Sequence, residues 1–122
     1  MKVLFICTAN RIRSRGAEAW FKRMFPDHEF KSCGTSKVAV DNCKAMVPDA
    51  QVLTPELIDW ADKLVFLERV HQRDAIKRFG SETISDKENE VWDLPDEFDS
   101  WDDPLLIRAF NWFNLDDFFK ST

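Results

Sequence analysis

The apolar run Val3-Leu4-Phe5-Ile6, opened by Lys2, leads without a break into Cys7-Thr8-Ala9-Asn10-Arg11-Ile12-Arg13-Ser14. The run reads as a buried strand, and the residues after Ser14 take up helical apolar spacing. A cysteine, five residues and then Arg-Ser at a strand-to-helix turn suits the holding of a tetrahedral oxyanion. Backbone N–H groups of the loop from Thr8 to Arg13 and the positive end of the following helix converge on the anion. Arg13 adds a planar fork that grips two oxygens at once. The same field favours the thiolate of Cys7, and Ser14 can donate a hydrogen bond to it. The implied chemistry is displacement at phosphorus by a cysteine, as in a cysteine-dependent phosphatase.

The rest of the chain supports a fold that presents such a loop. Ala17, Trp20, Phe21, Met24 and Phe25 recur at three- and four-residue steps, an amphipathic helix stopped before Pro26. Glu29 to Cys33 reads as a second strand closed by Gly34, and Lys37 to Met46 as a helix. Thr54-Pro55-Glu56 opens another helix by a cap and a first-turn proline, with Leu57, Ile58 and Ala61 as its buried face. Leu64 to Leu67 is a third buried strand, and Val70 to Phe79 a helix ended by Gly80. Ser81 to Glu90 is polar and reads as a loop before a short strand at Val91-Trp92. A long C-terminal helix is expected from Asp103-Pro104 through Leu105, Leu106, Ala109, Phe110, Phe113 and Phe118. Strands alternating with helices imply an α/β fold, a parallel sheet covered on both faces. Ligands of such sheets bind beyond the carboxyl ends of the strands, which is where Cys7 stands.

With 122 residues and no linker, repeat or low-complexity tract, residues 1–122 are expected to form one domain. No apolar run reaches the length of a membrane span, and no secretory leader is recognisable. Three cysteines without metal-type pairing point to free thiols and a cytoplasmic setting. Residues 1–40 carry eight Lys/Arg against three Asp/Glu, while residues 41–122 carry nine against nineteen. An acidic chain with a basic loop suits a small anionic group and disfavours a nucleic-acid partner. Neither His/Cys spacing nor a carboxylate cluster beside the loop calls for a metal, and no cofactor is expected.

These residues resemble the low-molecular-weight protein tyrosine phosphatase family, whose C-x5-R-S loop likewise follows the first strand. Ser32-Cys33-Gly34-Thr35 is similar to the family's Ser-Ala-Gly-Thr, and Leu94-Pro95-Asp96 to the late segment carrying its general acid. The resemblance implies a three-layer α/β/α fold of the phosphotyrosine protein phosphatase I type, with a four-stranded parallel sheet of order 2-1-3-4. It also implies a phosphocysteine intermediate on Cys7 and Asp96 as the acid that protonates the leaving oxygen. The chain departs from the family pattern at several positions. Ala9 stands where Gly is usual, Ile12 where a second Cys is usual, and Arg15 where Pro is usual. Glu97-Phe98 follows Asp96 in place of Pro and an aromatic, and there is no Tyr anywhere.

The candidate site is therefore Cys7, Arg13 and Asp96, with Thr8, Ala9, Asn10, Arg11, Ile12 and Ser14 around the phosphate. Asn10 is expected to hold left-handed backbone, and Ser32 to steady the loop from the second strand. Arg11 either touches the substrate outside the phosphate or is a solvated side chain. Asp99 and Asp103 stand as alternatives to Asp96. Trp92, Phe98 and Trp101 either pack an aromatic leaving group or belong to the core. His71, alone in its helix, reads as a surface residue. The substrate is a phosphorylated protein or a small phosphoester. Arsenate reduction and non-catalytic phosphate binding remain as other uses of the loop, and the oligomeric state is not legible.

Overall fold

The computed structural model describes residues 1–111. The strands are β1 (Lys2–Cys7), β2 (Glu29–Gly34), β3 (Lys63–Phe66) and β4 (Glu88–Val91). The helices are α1 (Arg13–Met24), α2 (Lys37–Cys43), α3 (Pro55–Trp60), α4 (Arg69–Phe79), α5 (Ser81–Ser85) and α6 (Pro104–Phe110). All strand pairs are parallel, in the order β2-β1-β3-β4. Strand β1 lies inside the sheet, so Val3, Leu4, Phe5 and Ile6 are all fully buried, their side chains alternating between two cores.

One core joins Phe5, Phe21, Phe30, Trp92 and Phe110 beneath α1 and α6. The other joins Leu4, Ile6, Leu64 and Phe66 to Ile58 of α3, Ala75 of α4 and Ile84 of α5. In parallel register Cys7 lies beside Gly34, and Ile6 lies beside Phe66. The carboxyl ends of β1, β2 and β3 thus meet at one edge, and the loop after Cys7 emerges between them.

Local chemistry explains the helix starts. Thr54 accepts a hydrogen bond from the Leu57 N–H with Pro55 in the first turn, and Asp103 accepts from Leu105 N–H ahead of Pro104. The polar stretch 81–90 is not a loop. Gly80, at φ 92°, ends α4; Ser81 then starts a fresh turn whose Ile84 enters the second core. The carboxylates of strand β4 pair with buried Lys63 on the neighbouring β3, at 3.8 Å for Glu88 and 3.1 Å for Glu90. Helix α2 stops at Cys43, short of Met46. The last described helix covers Pro104–Phe110, and the expected continuation through Phe113 and Phe118 lies outside the described residues.

Candidate active site

The segment Thr8–Ile12 wraps from the end of β1 into the first turn of α1. Ile12 at the helix cap position offers no side-chain cap, and the first turn holds no acidic residue. The helix therefore presents open N–H groups at its positive end. Among the described residues, no N–H of Ala9, Asn10, Arg11 or Ile12 donates to a protein acceptor. The carbonyls at the start of the loop are held elsewhere: Thr35 N–H donates to Cys7 O at 2.8 Å and Ser36 N–H to Thr8 O at 3.1 Å. That grip needs Gly34, because a β-carbon there would sit 2.4 Å from the Thr8 carbonyl oxygen. The loop turns on Asn10, whose φ of 56° is left-handed.

The buried hydrogen bonds around Cys7 can be assigned a direction. Gln51 N–H donates to Asn10 Oδ1 at 3.0 Å, which fixes the amide orientation. Asn10 Nδ2 then donates to Ser14 Oγ at 3.0 Å and to Ser32 Oγ at 2.8 Å. Ser32 hands its own proton to Glu18 at 2.5 Å, and Ser14 Oγ lies 2.9 Å from Cys7 Sγ, a contact in which either atom can donate. When Cys7 is a thiolate, which can only accept, the Ser14 hydroxyl is the donor, itself held by an amide. Ser32 touches the loop through Asn10.

Arg13, only 4% exposed, is fixed from the other side. Its guanidinium donates to the Glu68 carboxylate and, at 2.7 Å, to the Leu94 carbonyl. Its Nε is 4.0 Å from Asp96 Oδ1. Cys7, Thr8, Ala9, Arg11, Ile12, Arg13, Cys43 and Asp96 together line one cavity of about 230 Å³. A larger groove, about 570 Å³, runs alongside and shares Arg11 and Ile12 with it. The smaller cavity is the one that holds the Cys7 thiol beside the Arg13 guanidinium, and chemistry rather than size marks it as the candidate site.

The other candidates fall into place around this cavity. Arg11 is exposed on the wall between cavity and groove. Arg15 turns away, donating to Asn10 O at 3.3 Å and pairing with Asp49 at 2.9 Å. Asp99 lines the groove, not the cavity, and Asp103 is occupied capping α6. Trp92 is core, Phe98 packs against that core, and Trp101 is 46% exposed beside the groove. Cys33 faces the opposite core from Cys7, and burial pushes its thiol well above the ordinary value. Among the described residues, no group of three or more His, Cys, Asp or Glu could hold a metal.

His71 is a correction: it is completely buried, not on the surface. Its Nδ1 accepts from Glu68 N–H at 3.0 Å, and its Nε2 lies 3.0 Å from Thr8 Oγ1. Burial, followed by the adjacent Arg13 guanidinium, lowers its pKa to about 4, so the ring is neutral near pH 7. Sequence reasoning also passed over Glu68 and Gln51. Glu68 lies just past the carboxyl end of β3, the position where an α/β sheet gathers its ligands, and that signal was present in the residues.

A buried thiol at the end of the first strand, an uncapped helix start and a fixed guanidinium define a phosphatase that works through cysteine. The family profile described as Low molecular weight phosphotyrosine protein phosphatase matches residues 2–103, and the chain belongs to that family. Solved structures agree with the fold. A low molecular weight protein tyrosine phosphatase from T. tengcongensis is 26% identical, with 91% of this chain and 97% of that chain covered and a TM-score of 0.58. The enzyme SP-PTP from Streptococcus pyogenes is 15% identical, with 99% and 94% covered and a TM-score of 0.71. The YwlE arginine phosphatase from Geobacillus stearothermophilus is 23% identical, with 89% of each chain covered and a TM-score of 0.63. No curated protein matches the chain in sequence. This chain is a cysteine-dependent phosphatase, and its substrates are phosphorylated molecules. No described helix is long and apolar enough to cross a membrane.

Proposed function

We propose that the chain is a single catalytic domain over residues 1–122 that hydrolyses phosphotyrosine in cytoplasmic proteins through a phosphocysteine intermediate. The observation that carries this is the convergence of Cys7, Arg13 and Asp96 on one cavity. Cys7 attacks phosphorus while the ester oxygen leaves, and Asp96 gives that oxygen its proton. Water then attacks the phosphocysteine with Asp96 as base, and the thiolate is released. Arg13 and the N–H groups from Thr8 to Ile12 hold the equatorial oxygens, most tightly in the transition state. Ser14 donates to the thiolate both as nucleophile and as leaving group. Ser32 supports the loop through Asn10. A cysteine only 3% exposed as a residue, lining this cavity, favours a phosphate carried on a long arm, as in tyrosine.

A second reading, a phosphate carried on a polar group, is favoured by Thr8, Arg11 and Asp96 lining the same cavity. Turnover of phosphotyrosine, phosphoserine and phosphoarginine peptides and of a nucleotide monophosphate, measured side by side, separates the two. The first reading expects the phosphotyrosine peptide to lead in kcat/KM by at least about tenfold, which is ~1.4 kcal/mol of transition-state binding. A lead for phosphoarginine or the nucleotide overturns it.

A further inference from the structure

Helix α4 begins with an arrangement that the reaction as described does not use. Glu68 stands at its cap position and His71 at its third residue; the Glu68 N–H donates to His71 Nδ1, and the His71 N–H to the Glu68 backbone carbonyl at 3.1 Å. From this one turn Glu68 reaches Arg13, and His71 reaches Thr8, so both ends of the anion loop are tied to it. Arg13 needs its tie as a counter-charge. The tie to Thr8 has no electrostatic purpose, since a neutral imidazole and a hydroxyl carry no charge.

Its value is direction. Because Glu68 N–H donates to His71 Nδ1, that nitrogen must be bare, and the neutral ring carries its proton on Nε2. The Nε2–H therefore donates to Thr8 Oγ1 at 3.0 Å, and Thr8 must use its own hydroxyl proton elsewhere. Thr8 is exposed and lines the cavity with Cys7 and Arg13. Among the described residues no acceptor for that proton is present.

We propose that Thr8 is a hydrogen-bond donor to a phosphoryl oxygen of the substrate, and that His71 is the positioning residue that turns its hydroxyl towards the cavity. This rests on the phosphatase reading for its biological meaning, but it can be tested on phosphate binding alone. A freely rotating hydroxyl divides its time between donor and acceptor orientations. One that already accepts from an imidazole meets the anion as a donor only, which is the orientation an oxyanion needs.

The test uses inorganic phosphate as ligand, with dissociation constants read by NMR titration, beside KM and kcat on p-nitrophenyl phosphate. Thr8→Val removes the hydroxyl at constant shape and should weaken phosphate about 3- to 10-fold, the range of one hydrogen bond. His71→Leu should weaken it by a similar factor, and the double variant no further, because both remove one interaction. His71→Gln, with an amide N–H for Thr8 and a carbonyl for Glu68 N–H, should restore most of the affinity, and it also serves if His71→Leu does not fold. The imidazole ¹⁵N signals should show a protonated Nε2 and a bare Nδ1 at neutral pH. Unchanged phosphate affinity in Thr8→Val, or multiplying losses in the double variant, overturns the proposal. Failure of the phosphatase reading has a different signature: the native protein would show no Cys7-dependent turnover of p-nitrophenyl phosphate, whatever the phosphate affinities.

Discussion

The loop that carries Cys7 and the segment that carries Asp96 face each other across one cavity, yet they are built differently. Asn10, Arg13, Ser14 and Ser32 are all buried, and hydrogen bonds run from each of their side chains into the loop or its supports. The Asp96 side chain is 71% exposed, with Arg13 Nε at 4.0 Å as its ion-pair contact. Its segment is tied down mainly through Leu94, whose N–H donates to Leu67 O at 2.8 Å and whose carbonyl takes Arg13. The contrast follows the chemistry. Oxyanion donors act through fixed dipoles, and any reorientation during reaction costs rate. The proton donor proposed for Asp96 would have to meet a leaving group that varies in size and then admit water, which suits an open, adjustable segment.

The sharpest way to break this contrast is at the sulfur. Cys7→Ser should lower kcat on aryl phosphates by about 10⁴-fold or more, while fold and phosphate affinity stay near native. Substantial residual turnover would mean that the ordered side is not the nucleophilic one.

Asp96→Asn tests the open side. It should slow turnover of poor leaving groups by roughly 10²- to 10⁴-fold. The first step with p-nitrophenyl phosphate should suffer less, since its leaving group needs little protonation. Rapid-quench detection of an accumulating phosphocysteine would follow from slow water attack. Asp99→Asn should be nearly silent. Asp103→Asn should remain active, because that carboxylate caps α6. A crippled Asp99 or Asp103 variant beside a normal Asp96 variant would move the acid to another part of the segment.

Arg13→Lys keeps the charge but loses the fork. It should cost about 10²- to 10³-fold, mainly in kcat, because an ammonium cannot hold two equatorial oxygens and also Glu68 and the Leu94 carbonyl. Near-normal kcat would show that the two sides of the cavity are independent, since Arg13 is the residue joining them.

The smallest expected effect is on stability. His71 has a folded pKa of about 4 against an ordinary 6.5, through burial and then Arg13, with Glu68, Asp74 and Asp96 opposing. The unfolded chain therefore takes up the proton first. The contribution is complete above pH 6.5 and is lost between pH 6.5 and about 4. Its size is at most roughly 3 kcal/mol, since the window is worth ~1.4 kcal/mol for every pH unit it spans. Denaturant unfolding of His71→Gln should show a flatter pH dependence across that window. An equally steep curve would place the acid sensitivity elsewhere.

Strand β1, its cysteine and the loop behind it were legible in the residues, because their determinants are local. An apolar run predicts a central strand, and Asn10 is among the few residue types that tolerate left-handed backbone. The spacing from Cys7 to Arg13 survives any fold that ends a strand at Cys7. Helix starts at Thr54 and Asp103 were legible for the same reason, since a cap and a first-turn proline need no partner from afar.

Strand β4 was legible only at its end, Val91; its start at Glu88–Glu90 was not, because those carboxylates look like surface until Lys63 of β3 is placed beside them. The choice among Asp96, Asp99 and Asp103 was likewise out of reach of composition: three acidic residues within one short segment differ only in which cavity each borders or which helix it caps. His71 shows the limit most clearly. A lone histidine on a helix has the identity of a surface residue, and only the packing of α4 against the sheet buries it and brings Nε2 to Thr8, 63 positions away in sequence. Periodicity, caps and turns are properties of neighbours along the chain, whereas desolvation and hydrogen-bond direction at the site depend on contacts between distant segments, which tertiary structure alone decides.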